Sequence, residues 1–532
     1  MPRVPSVIWW ITALHVALLL AYSVLLPTYR APDEPLHVDL AHVFSEELRY
    51  PAWDERNTGA GVQRSLSLMR FGQRSAHLTA EEAVPKDERP SIEELEGDRE
   101  PQGINSLSQH PPLYYALTGT TMRVIEGVVG DPIGSFALET WVYRLVSLLL
   151  VAPLPLIIWR TGSILRVPST VGVAAALVPL GIPQLTHIGS SVTNDTLAML
   201  LFWALTPVVI RVADGALRLR TAALAGVLTG LALFTKGFGT LMVPWMAVAL
   251  GMALLRQGQA AWRAVATSGA VFLATSTVFG GWWWIRDLVL YGELGPSRFD
   301  QLVPDHEGAG GFLTFLDTWG TRTTWRFWGD FGWYDTRLPG TVIVAATLVC
   351  LALIAVALSS QDRIAASPLG NRVLLLMPLL LLVVSQFQVA YSEHQRTSLF
   401  PGLQGRYWFG AIAAMSPLIA VGLATLMRRR LRWVPVVVLG GVVAMQILAV
   451  SVLLGFYWGE PHSALADRLR AVVAWTPLPG ELIGIGAVAA ALIAATTVAQ
   501  LALFSAHSPA RQSPPDHQVG VASCDVERIG HV

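Results

Sequence analysis

The chain has 532 residues, of which 53% are hydrophobic and only 14% charged, with a mean hydropathy of +0.50. A soluble domain carries roughly 25% charged residues, so this is the composition of a membrane protein. The 37 basic and 37 acidic side chains cancel, which argues against nucleic acid as a partner. Two cysteines, Cys350 and Cys524, can build neither a disulfide framework nor a zinc site.

A membrane-spanning helix needs about 20 apolar residues. Twelve runs qualify, at 7–26, 141–159, 168–186, 195–212, 221–236, 238–255, 264–285, 340–358, 372–392, 407–427, 433–457 and 481–505. The first lacks a small-residue cleavage site and reads as a retained helix rather than a signal peptide. With the N-terminus in the cytoplasm, 14 arginines fall in the inner loops, against only Asp214 and Asp362. That is the arrangement of the positive-inside rule. Counting Pro111–Val129 as a span would invert every later loop, so this stretch is expected to be an interfacial or re-entrant helix on the outer side.

The expectation is an all-α polytopic membrane protein with about twelve transmembrane helices. Residues 1–505 form the membrane domain, with both termini cytoplasmic. It has a first outer loop over 27–140 that carries interfacial helices, and a second large outer loop over 286–339. Within the first loop, 27–110 holds 16 acidic residues, and 81–100 reads as a solvated excursion. Residues 506–532 read as a disordered cytoplasmic tail. No internal repeat is evident, which disfavours transporter folds built on duplicated halves.

Polar residues that bear chemistry gather at one face. The segment Arg30-Ala31-Pro32-Asp33-Glu34-Pro35-Leu36-His37 follows the first span directly. Carboxylates held between prolines at the membrane surface suit a general base, and Asp33 is equally placed to cap a helix starting at Glu34. Gln109-His110-Pro111-Pro112 opens the interfacial helix. Arg144 lies one turn into the second span, Asn194-Asp195 opens the fourth, and Lys236 closes the fifth. Ionisable groups inside spans are costly and mark functional cavities, although snorkelling also accounts for Arg144 and Lys236. Gly280-Gly281-Trp282-Trp283-Trp284-Ile285-Arg286 ends the seventh span, where paired glycines permit close approach of a ligand. Gln404-Gly405-Arg406 opens the tenth, and arginine is the natural fork for a phosphate. Acids and basic groups at one membrane surface are suited to binding the phosphate of a lipid carrier while activating an incoming hydroxyl group.

The order PDEP-x-H, HPPLYY, an arginine opening the next span, Asn-Asp, Thr-Lys-Gly, GGWWWIRD and QGRYW resembles bacterial membrane glycosyltransferases of the GT-C fold. Within that clan it is most similar to a family of bacterial predicted membrane proteins. The resemblance covers about residues 7–430 and implies an inverting transferase. Such an enzyme moves a sugar from a polyprenyl-phosphate donor to a glycan, lipid or protein acceptor on the outer face of the cytoplasmic membrane. It implies Asp33 as the catalytic base, with Glu34 as the alternative, and Asp195 as the second outer acid. Arg144, Lys236, Arg286 and Arg406 become phosphate or sugar contacts, with His37, His110, Asn194, Trp283 and Gln404 as further site candidates. No nucleotide is implied; the outer acids and His37 are compatible with a divalent cation. The competing class is a transporter or flippase of lipid-linked saccharides, which predicts charges spread through the membrane midplane.

Overall fold

A computed structural model describes residues 3–69, 84–97, 103–130, 133–296, 303, 311–361, 368–459 and 462–507. Among these, ten helices are long and apolar enough to cross a membrane: Ser6–Leu25, Phe136–Ile164, Asp195–Ala213, Gly237–Gln257, Gln259–Tyr291, Gly340–Ser359, Leu369–Thr397, Gly405–Leu426, Leu431–Tyr457 and Gly480–Ala506. Each coincides with an apolar run of the sequence.

The remaining two runs depart from simple spans for physical reasons. Residues 168–186 form two helices, Ser169–Gly181 and Pro183–Gly189, bent by 71°. Pro183 lacks the N–H that would continue the first helix, and its ring excludes the carbonyl four residues back. The run at 221–236 yields Leu219–Leu233, only 15 residues. At 1.5 Å per residue that is about 22 Å, short of a hydrocarbon core of about 30 Å.

Contacts at its two ends nevertheless show that the short helix traverses the bundle. It starts beside Asp214, which binds Arg256 and Asn371. It ends at Lys236, whose ammonium reaches Asp195 at the opposite end of the Asp195–Ala213 helix. The first and last helices lie antiparallel: Ser6 donates to Gln500 (3.0 Å), and Thr497 donates to the Trp10 carbonyl (3.2 Å). Residues 6 and 500 therefore share one end of the bundle, and the number of crossings is even. Ten long helices, one broken span and one short helix make twelve among the described residues.

Close helix packing explains the paired glycines. The Gln259–Tyr291 helix carries a π-bulge at Thr277–Gly281, and a Cβ on Gly280 would sit 1.8 Å from the Gly230 carbonyl oxygen. Trp284 then donates its indole N–H to the Leu233 carbonyl (2.9 Å). Gly280 thus admits a neighbouring helix and not a ligand, which corrects the sequence expectation.

The long first loop folds into helices Glu34–Glu47, Ala60–Leu68, Ile92–Glu96 and Leu113–Val129. Asp39 ties it together, accepting from Arg56 (2.6 and 3.0 Å), the Gly59 N–H (2.8 Å) and Asn105 (2.8 Å). The described part of 81–100 is docked rather than solvated, another correction. Ser91 and Glu94 form a capping box, Ile92 is buried, and Arg89 stacks on Trp475 while donating to its carbonyl (2.8 Å). Its acidic residues face outward while a few apolar and basic ones anchor it, so composition alone overstated its exposure. Residues 81–83 and 98–100, Asp362, Arg363, Cys524 and the tail from 508 lie outside the described residues.

The second loop holds helix Phe312–Trp328 and one small antiparallel hairpin, Asp330–Phe331 with Thr336–Arg337. The hairpin is seated on the broken span, where Gln184 accepts from the Asp330 N–H (2.9 Å).

Candidate functional site

The C-terminal end of the first helix, the N-terminal ends of Phe136–Ile164, Asp195–Ala213 and Gly405–Leu426, and the end of Leu219–Leu233 meet at one end of the bundle. Two ionic clusters lie there side by side.

The first is closed. Glu34 is fully buried and receives Arg144 through both carboxylate oxygens, each at 2.7 Å. The remaining guanidinium protons go to the carbonyls of Ser23 (2.9 Å), Leu26 (2.8 Å) and Pro27 (3.0 Å). All five donors are used. Glu34 also accepts from the Val192 N–H (3.1 Å) just past the broken span. This cluster ties the end of helix Ser6–Leu25 to the Asn194–Asp195 turn.

The second is open. Asp33 adopts a left-handed conformation (φ 63°), and its side chain makes no capping bond. Its Oδ2 instead accepts from Arg406 Nη2 (2.5 Å), and the side chain is 32% exposed. Arg406 is itself buried and donates to the Pro32 carbonyl (3.3 Å). Asp195 accepts from Lys236 through Oδ1 (2.5 Å). Its Oδ2 lies 3.2 Å from Arg406 Nε but out of line, so the two atoms attract as charges without a hydrogen bond. Two carboxylates and two cations are therefore held together, neutral in sum, with coordination left over.

Aromatic and imidazole rings wall this cluster. The Lys236 ammonium stands over Tyr407 (4.9 Å) and Phe238 (5.4 Å). His37 bonds the Tyr115 hydroxyl through Nδ1 (2.9 Å), and Tyr115 stacks on Tyr50 (5.6 Å), which meets Trp283 (6.5 Å). Burial holds the His37 pKa well below its ordinary value. Burial pushes His110 down to about 3, the positive charge of Lys236 adding to the effect. In both, burial favours the neutral imidazole.

The structure thus brings Asp33, Asp195, Lys236 and Arg406 into one cluster, with His37 and His110 close enough to feel its charges. Glu34 and Arg144 stand beside it, Arg144 with every donor used. Arg286 lies apart: it pairs with Asp287 (2.7 Å) and stacks on Trp283 (4.6 Å) and Tyr291 (5.7 Å), all on its own helix. Gln404 accepts from the Tyr334 hydroxyl, and Tyr334 lies under the Arg326 guanidinium (3.6 Å). Arg326 belongs to the aromatic-basic stretch 325–333 that stands out in the sequence, whereas the hairpin residue Tyr334 (φ 68°), one position past it, escaped sequence reasoning. Burial raises Asp330, which shares Arg326 at 3.5 Å, to about 6.

Among the described residues no group of three or more His, Cys, Asp or Glu side chains converges as a metal site. The two acids of the open cluster each face a guanidinium or an ammonium, so a divalent cation would have to displace bound positive charge. The donor set does not fit one.

Among solved structures, ArnT from Cupriavidus metallidurans in the apo state is similar over 93% of this chain and 77% of its own, at 13% identity and a TM-score of 0.44. The same protein bound to undecaprenyl phosphate gives 14% identity and a TM-score of 0.42, with the same coverage. The Archaeoglobus fulgidus oligosaccharyltransferase in complex with Zn and sulfate is similar over 86% of this chain, at 11% identity and a TM-score of 0.42. This chain spans about half, 54%, of that oligosaccharyltransferase. No curated protein matches the sequence. Residues 16–415 match the family described as Predicted membrane protein (DUF2142), and the chain belongs to that family.

Proposed function

We propose that this protein is an inverting glycosyltransferase that takes a sugar from a polyprenyl-phosphate donor and passes it to a hydroxyl-bearing acceptor. The observation that carries the reading is the open cluster: Asp33, partly exposed, clasped by Arg406 beside Lys236 at the end of a membrane bundle. In the reaction the acceptor oxygen forms a bond to the anomeric carbon as the bond from that carbon to the phosphate oxygen breaks. The acceptor proton passes to Asp33 Oδ, and the bonding pair leaves with the phosphate. Charge on the phosphate rises through the transition state, where Arg406 and Lys236 gain most from it. A phosphate monoester leaves readily, so no general acid is required.

The clasp adds a consequence. Arg406 donates to Asp33, and a phosphate that claims the guanidinium releases the carboxylate. The base becomes available as the donor arrives. Glu34 is fully buried and accepts three bonds, two of them from Arg144, and Arg144 has no spare proton, so both act as positioning residues under this reading.

An apolar cavity of about 310 Å³ supports the lipid nature of the donor. Phe327 and Trp328 line it next to Arg326, together with Leu353 and Met415, and Val349 and Val437 stand exposed along it. An isoprenoid chain would enter from the lipid through this side. The charged groups sit at one end of the bundle, which disfavours a transporter, whose sites lie near the midplane. The arginine-rich loops 160–166, 211–220 and 428–432 lie at the opposite end, which by the positive-inside rule supports a site on the outer face of the cytoplasmic membrane and both termini inside.

The test is direct. Purified protein in detergent is offered a set of undecaprenyl-phosphate hexoses and pentoses, and release of undecaprenyl phosphate is measured with and without candidate acceptors. Turnover of one donor by wild type and its loss in Asp33→Asn are expected; full turnover in Asp33→Asn would remove the assigned base.

A further inference from the structure

We infer that the Asn194 side chain, with Asp195 Oδ2 and Gln109 Oε1, forms a subsite for the hydroxyl groups of a sugar ring, separate from the phosphate contacts of Arg406 and Lys236. This rests on the transferase reading above. Asn194 is completely buried, yet neither its amide nitrogen nor its amide oxygen has a partner. An asparagine at the mouth of a helix ordinarily caps it. Here the side chain makes no capping bond, and Thr193 Oγ1 accepts from the Asp195 N–H (3.2 Å) instead. Asp195 Oδ2, Gln109 Oε1 and Arg406 Nε are likewise buried without a hydrogen bond. Thr193 donates its N–H to the Tyr114 hydroxyl (3.0 Å) and Leu113 donates to the Phe234 carbonyl (3.2 Å), which brings the segment that carries Gln109 to the Thr193–Asp195 turn and to the chain just before Lys236.

Buried orphan groups cost stability, and several beside one cluster call for a partner from outside the chain. Their chemistry selects that ligand. Three of the orphans, Asn194 Oδ1, Asp195 Oδ2 and Gln109 Oε1, are acceptors and require protons from their partner. An ionised phosphate has none to give. Asn194 Nδ2 and Arg406 Nε require acceptors. A polyhydroxylated ring supplies both, because each hydroxyl donates one bond and accepts others. The position agrees, since Asp195 touches Lys236 at 2.5 Å and Arg406 at 3.2 Å, so hydroxyl contacts begin where phosphate contacts end.

The full chain in detergent is titrated with undecaprenyl phosphate and with its mannosyl, glucosyl, galactosyl and arabinosyl forms. Wild type should bind one glycosylated form roughly ten-fold more tightly than the bare phosphate, the effect of one or two well-made hydrogen bonds. Asn194→Leu and Gln109→Leu should erase that preference while binding bare undecaprenyl phosphate as wild type does. Because the Asn194 side chain makes no hydrogen bond within the protein, Asn194→Leu should melt no lower than wild type, which a structural role would not allow. Variants that keep the preference, or that lose bare and glycosylated lipid equally, overturn the subsite and leave the transferase reading standing. Wild type that binds none of these lipids overturns both.

Discussion

Asp33 and Glu34 are neighbours in sequence and have opposite fates. Glu34 sits in a closed cluster, accepting twice from Arg144 and once from a backbone N–H, while three carbonyls take the remaining Arg144 donors. Asp33 sits in an open cluster where Arg406 bridges two carboxylates imperfectly, and several polar atoms remain unpaired. A saturated buried ion pair has spent its interactions on geometry. An unsaturated one has interactions left for a substrate. Charge and position along the chain did not separate the two carboxylates; coordination did.

The sharpest way to break this contrast is substitution of the open carboxylate. Asp33→Asn should lower transfer by about 10²–10⁴-fold, the usual effect of losing a general base. Folding should survive, because asparagine tolerates the left-handed conformation of residue 33 and no cap is lost. Rates from purified variant and wild type at equal folded fraction decide the matter; comparable rates would place Asp33 outside the chemistry.

Glu34→Gln should show the reverse pattern. It leaves Arg144 buried beside a neutral partner, and breaking a buried pair costs about 3–5 kcal/mol. The expected signature is poor yield in the membrane and a large drop in melting temperature. A well-folded Glu34→Gln protein that has lost only activity would exchange the roles of the two residues.

A third cluster sharpens the same contrast through pH. His42 bonds Glu139 at 2.8 Å, and the Tyr143 hydroxyl joins the same oxygen (2.9 Å). Burial opposes the imidazolium, but the carboxylate outweighs it and raises His42 from 6.5 to about 9. The folded pKa exceeds the unfolded one, so this pair's stabilisation is complete below about pH 6.5 and is lost as pH rises to 9. The shift corresponds to about 3 kcal/mol. Melting temperature should fall across that window, and His42→Gln should flatten the profile. A wild-type curve already flat from pH 6.5 to 9 would contradict the assignment.

Lys236→Met carries the smallest expected effect. It removes one charge-assisted contact to the phosphate, worth about 1.5–3 kcal/mol, so undecaprenyl phosphate should bind about ten-fold or more weakly. Unchanged affinity would reduce Lys236 to a partner of Asp195.

Hydropathy alone determined much of this protein: the membrane class and the positions of the apolar segments that form the ten long helices, the broken span and the short helix. Those are sums over neighbouring residues, and a run of some 20 apolar side chains has few alternatives in a bilayer. The 71° break at Pro183 and the shortness of Leu219–Leu233 were blurred because an apolar run reports length of hydrophobicity and not helix continuity. Tertiary structure decided the pairings. Arg144 meets Glu34 across 110 residues and Arg406 meets Asp33 across 373, and no local pattern encodes which arginine takes which acid. The same holds for Gly280, kept small by a carbonyl on another helix, and for Tyr334, delivered by a hairpin of two-residue strands too short to read. The unpaired amide of Asn194 is visible only when every neighbour is in place, because an absent hydrogen bond is a property of the assembled fold and of no residue in it.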